Sequence, residues 1–116
     1  VLTPSLDAIY EKKITALGNT VEHTADVVMP GSSDVGNISQ VVPTIQPHIS
    51  ITDVPVAGHS QEMVEASASP KAMEAIVKGA KALAWTALEL FEDPVLLQKV
   101  KEDHQWHVDH QKEMPV

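Results

Sequence analysis

Two side chains in this chain have the type and setting to do chemistry, Asp34 and His59. Asp34 stands in Gly31-Ser32-Ser33-Asp34-Val35-Gly36-Asn37, and His59 in Gly58-His59-Ser60. Loops carry a disproportionate share of catalytic and metal-binding groups, because a rigid scaffold can present them to a cleft. A carboxylate can bind a cation or accept from a substrate, and neutral imidazole is the commonest metal ligand. Each also has an ordinary reading. Asp34 can accept hydrogen bonds from its own loop in an Asx-turn, and a single loop histidine is more often a surface residue than a ligand. A third constellation is His104, His107 and His110. On a helix, positions i and i+3 are neighbours and i+6 has rotated away, so this series reads as a solvated, fraying helix end rather than a metal site.

These groups need elements to hold them. Three helix starts are written as a capping residue followed by proline: Thr3-Pro4, Ser69-Pro70 and Asp93-Pro94. Proline lacks the N–H that a first turn leaves unpaired, and Thr, Ser or Asp supplies an acceptor. The first pattern predicts a helix over 4–17, stopped by Gly18-Asn19 in a left-handed cap. The second predicts a helix from Pro70 to about Glu92, with Met73, Ile76, Val77, Ala80, Leu83, Ala84, Leu88 and Phe91 as one apolar stripe. Ala75, Gly79, Ala82 and Ala87 are small enough for a neighbouring backbone to come close, which would account for a glycine inside the helix. The third predicts a helix over 94–111. Residues 60–68 read as loop with a short extended piece.

The remaining apolar runs, Ala25–Met29, Ile38–Val42 and Ile45–Ile51, are rich in β-branched residues and read as strands. Pro43 and Pro47 place them at edges or ends. Helix, strands and long helices in that order predict an α/β chain, with Asp34 and His59 at the same end of a strand pair.

The chain has 116 residues, 43% of them hydrophobic, which allows one small domain and a modest core. Its formal net charge of -8, with no arginine, argues against nucleic acid and against an anionic membrane surface. No apolar run reaches the roughly 18 residues a membrane helix needs. There is no cysteine, so thiolate chemistry and disulfides are excluded. The amino terminus lacks a signal-peptide pattern, so the chain is expected to be cytoplasmic, and it reads as part of something longer. The motifs of nucleophile elbows, P-loops, H-E-x-x-H zinc enzymes and dinucleotide folds are all absent.

The ordered set Pro30–Ser39, Val42-Pro43-Thr44, Pro47 and Gly58-His59-Ser60 resembles the C-terminal part of the zinc-dependent amidohydrolases and metallopeptidases that include aminoacylases and carboxypeptidases. It looks closest to the p-aminobenzoyl-glutamate hydrolase branch. Glu65-Ala66-Ser67, Lys78–Ala84 and Asp93-Pro94 extend the likeness to nearly the whole chain.

The resemblance implies that residues 1–116 are the C-terminal segment of a catalytic domain, a fragment of a three-layer α/β/α fold. It implies a two-metal centre in the complete enzyme, where divalent metal (zinc) activates a water, a glutamate acts as base and a small amide is cleaved. His59 matches a metal-ligand histidine, and Ser32, Ser33, Asp34 and Gly58 match the loops lining the substrate cleft. Asn37 stands where relatives commonly carry aspartate. The other ligands, the catalytic glutamates and the lid domain of such enzymes have no counterpart here. The expected partner is therefore the missing N-terminal catalytic half, or further copies of the chain in a homo-oligomer, and the chain alone is expected to be inactive. The alternative is a non-enzymatic acidic domain that binds a partner or itself through its alanine-rich helix.

Overall fold

The computed structural model describes residues 1–21, 34–51 and 60–111. Every regular element among them is a helix: α1 (Pro4–Ala16), α2 (Val35–Ile38), α3 (Gln61–Ser67), α4 (Pro70–Glu92) and α5 (Pro94–Asp109). The expected α/β sheet fragment is thereby overturned. Ile38–Val42 forms the end of α2 and the turn after it, with Val41 and Val42 N–H both donating to the Ile38 carbonyl. Residues 45–51 carry no ladder. A β-branched run becomes a strand only where a neighbouring edge offers donors and acceptors, and none pairs with it among the described residues. Ala25–Met29 lies outside them.

The three proline-marked helices form as their sequences dictate. Ser69 Oγ accepts from Ala72 N–H at 3.2 Å and Asp93 Oδ1 from Leu96 N–H at 3.0 Å. Gly18 takes φ 99°, and Asn19 N–H reaches the Ile14 carbonyl while Gly18 N–H reaches Thr15, closing α1 with a Schellman cap. Residues 61–67 are helical rather than loop, because Ser60 Oγ accepts from Met63 N–H at 3.2 Å and the following residues favour helix.

Thr3 does not cap α1 with its side chain. Asp103 of α5 does so from 98 residues away: its Oδ2 accepts from Ser5 N–H at 2.9 Å and from Ser5 Oγ–H at 2.6 Å. The core lies at the same junction, where Leu6 and Ile9 of α1 pack with Val100 of α5, flanked by Ile45, Leu90 and Leu96.

Helix α4 runs antiparallel to α1. Asn19, just past the end of α1, lies with Glu74, Ala75 and Lys78, while Lys13 pairs with Glu89 at 3.0 Å and lies 4.7 Å over the Trp85 ring. The buried residues of α4 are Ala72, Ala75, Ala82 and Thr86. They share the Glu89 side of the helix, which faces α1. The stripe of large residues points elsewhere: Met73, Ile76, Val77, Leu83, Leu88 and Phe91 are all about half exposed or more. The helix thus buries its small face and leaves its large face open.

A Cβ at Gly79 would meet nothing within 4 Å, so close packing does not account for this glycine. Gly79→Ala is expected to stabilise the chain by about 0.5–1 kcal/mol through helix propensity, read as a melting temperature raised by a few degrees. A lowered melting temperature would mean that the position is tighter than it stands here.

Candidate functional site

Asp34 occupies the turn that opens α2. Its backbone is helical, at φ -63° and ψ -17°, and its carbonyl accepts from Asn37 N–H at 3.1 Å and Ile38 N–H at 3.4 Å. Its side chain makes no capping hydrogen bond and is exposed. The Asx-turn reading therefore does not hold, and the carboxylate remains available at the surface. Ser32, Ser33, Gly58 and His59, the other residues expected at a site, lie outside the described residues.

What fixes the Asp34 turn is Ser39, buried at the far end of α2. Its Oγ–H donates to the Gly36 carbonyl at 2.6 Å and its Oγ accepts from the Val1 ammonium at 3.0 Å. Its own carbonyl accepts from His104 Nε2–H at 2.6 Å. A carbonyl cannot donate, so this contact sets the tautomer, with the proton on Nε2. His104 is 5% exposed, and it continues the inward row of Leu96 and Val100 at i+4 steps. Sequence reasoning placed it on a solvated helix end. The signal that could have found it was its register with that apolar row.

The two histidines of α5 and His110, which follows its last residue, have separate tasks. His107 Nδ1–H donates to the Asp103 carbonyl at 2.8 Å and lies 3.2 Å from Asp103 Oδ1. His110 Nδ1–H donates to the Trp106 carbonyl at 2.6 Å, and its ring stacks on Trp106 with centroids 4.1 Å apart. Among the described residues no group of three His, Asp or Glu could hold a metal ion.

The surroundings of this junction are acidic. Partial burial, then the nearby Asp103 and Glu11 carboxylates, raise Asp7 above the usual aspartate range. A raised carboxyl favours the fold at pH below its unfolded value, and that contribution disappears as pH climbs through the folded one. Thr3 Oγ1 is buried beside the same helix end with no hydrogen-bond partner. A shallow depression lined by Asn19, Ile49, Ser50, Lys71, Glu74, Ala75 and Lys78 contains none of the candidate residues.

No family model matches the chain. It is 41% identical to an Xaa-Arg dipeptidase of Homo sapiens over 73 residues, which are 63% of this chain and 16% of that protein. The Mus musculus Xaa-Arg dipeptidase is 42% identical over 74 residues, 63% of this chain and 17% of that protein. One of the subunits of the p-aminobenzoyl-glutamate hydrolase of Escherichia coli (strain K12) is 32% identical over 99 residues, 84% of this chain and 21% of that protein. These relatives are members of the metallopeptidase and amidohydrolase family, so the resemblance read from the residues is borne out. The chain spans about a fifth or less of the length of the curated relatives it matches. No helix among the described residues is long and apolar enough to cross a membrane.

Proposed function

We propose that this chain is the C-terminal portion of the catalytic domain of a metal-dependent amidohydrolase or peptidase. The parent activity is hydrolysis of an amide bond in an acyl- or aroyl-amino acid or a small peptide. The observation that carries the reading is the asymmetry of the comparison: 84% of this chain matches a polypeptide of an amidohydrolase, yet that match is 21% of the relative. Most of such a protein therefore lies outside the matched stretch, and the reading assigns the remaining machinery to it.

The described residues do not fit a metal on their own, because no group of three ligating side chains converges. On this reading the chain supplies one ligand, His59, and a loop, Ser32–Asp34 with Gly58, to a cleft whose other wall is a separate polypeptide segment. Anchoring of the Asp34 turn through Ser39 and His104 supports this, since a substrate-facing loop must be held by a rigid scaffold. A chain with one ligand holds no two-metal centre, so the isolated chain is expected to show no hydrolysis.

A chimera tests the assignment. The matched segment of the Escherichia coli p-aminobenzoyl-glutamate hydrolase is replaced by this chain, and hydrolysis of p-aminobenzoyl-glutamate is measured. Activity is expected in the chimera and a loss of about 100-fold or more with His59→Ala, alongside a drop in bound zinc. An active chimera that tolerates His59→Ala would remove His59 from the metal centre. Zinc-dependent turnover by the pure 116-residue chain would overturn the fragment reading itself.

A further inference from the structure

Helix α5 holds two other elements with consecutive side chains. Asp103 accepts from Ser5 N–H and Ser5 Oγ–H at the start of α1, at 2.9 and 2.6 Å. His104, the next residue, donates from Nε2–H to the Ser39 carbonyl just past α2, at 2.6 Å. Successive helical residues point about 100° apart, so α5 reaches α1 and α2 on adjacent faces.

A second tie lies past the end of α5. Gln40 Nε2–H donates to Gln111 Oε1 at 3.0 Å, and Gln111 Nε2–H donates to Gln40 Oε1 at 2.9 Å. Each amide has both a donor and an acceptor, so the pair closes in both directions. Gln111 is also turned back on its own helix, with Nε2–H donating to the Val108 carbonyl at 3.0 Å.

From Ser39 back to Asp34 the chain is one hydrogen-bonded turn. Ser39 N–H donates to the Val35 carbonyl at 2.9 Å, Ser39 Oγ–H to the Gly36 carbonyl at 2.6 Å, and Asn37 N–H to the Asp34 carbonyl at 3.1 Å. Five helical residues rise only about 7.5 Å. A shift of Ser39 is therefore carried to Asp34 rather than absorbed between them. The exposed Asp34 side chain makes no capping bond, so its position follows from that of its backbone.

We propose that α5 sets substrate affinity in the complete enzyme by placing the Asp34 turn, with His104 as a positioning residue and the Gln40–Gln111 pair as a second hold. The proposal rests on the amidohydrolase reading, which puts Asp34 at the cleft. A histidine that only filled the core could be replaced by an apolar side chain of similar size. One that places the turn must donate a hydrogen bond.

The chimera separates these roles. His104→Leu keeps the volume and removes the donor. It is expected to raise KM for p-aminobenzoyl-glutamate about tenfold, with kcat within about threefold and bound zinc unchanged. His104→Gln puts an amide N–H where Nε2–H stood, and is expected to bring KM back to within about threefold. If His104→Leu does not fold, Gln111→Ala gives the same readout from an exposed position, with KM expected about threefold higher and the melting temperature unchanged. The pattern differs from that of His59→Ala, which is expected to lose zinc. A merely destabilised enzyme would lose kcat and zinc together at constant KM. An active chimera that behaves in that way, or one that glutamine does not rescue, would overturn the proposal and leave the amidohydrolase reading in place. A chimera inactive with His59 and His104 both present would count against that reading and would take the proposal with it.

Discussion

Replacing Ala82 with leucine is expected to cost the chain about 2–3 kcal/mol, whereas replacing Phe91 with alanine should change its stability by about 0.5 kcal/mol or less. The order inverts the usual rule that the larger apolar side chain matters more. Ala82 is 0% exposed, and it shares the face of α4 that carries Glu89 to Lys13 of α1. Three extra carbons there must push α1 away or force strained rotamers. Phe91 is 84% exposed, so its truncation removes little that folding buried. For a domain of this size the Ala82→Leu cost corresponds to a melting temperature lowered by roughly 10–20 °C. Thermal melts of both variants check this. Equal losses would mean that the two faces of α4 are packed alike.

His104→Ala is the second large effect, at about 2–4 kcal/mol. The imidazole fills a buried position next to Val100, and its Nε2–H satisfies the Ser39 carbonyl at 2.6 Å. Alanine leaves a cavity and an unpaired buried acceptor, and these two losses add. His110→Ala, six residues on at a partly exposed position, should stay within about 0.5 kcal/mol. The local readout is hydrogen exchange. The Ser39, Val41 and Val42 amides, which close the end of α2, should exchange faster in His104→Ala. If their protection is unchanged, His104 is not what holds the Asp34 turn.

Local chemistry is legible in this sequence and context is not. The pairs Thr3-Pro4, Ser69-Pro70 and Asp93-Pro94 each open a helix, because a proline at the first helical position needs no distant partner to act. Gly18 stops α1 for the same local reason. The runs at 38–42 and 45–51 read as strands and are not, because β-propensity expresses itself only beside another strand. The apolar stripe of α4 is found by its period, yet a period cannot say which face turns inward. Here α1 approaches along Ala72, Ala75 and Ala82, where two backbones can come close. The site is legible in one respect, that its residues have metallopeptidase and amidohydrolase relatives. Asp34 is the one candidate among the described residues, and the expected role of a histidine series as solvated surface fails at His104.

The tie between the two ends of the chain constrains how it is made. Leu6 and Ile9 pack on Val100, and Ser5 bonds Asp103, 98 residues later. During synthesis at about 5–20 residues per second, α1 emerges first and waits several seconds for its partner to be translated. Its cap and core neighbours become available only when α5 has left the ribosome. Meanwhile α4 presents apolar surface on both faces. The fold therefore closes late, only once α5 has been made, and a ribosome stalled before α5 would hold a nascent chain that chaperones should recognise.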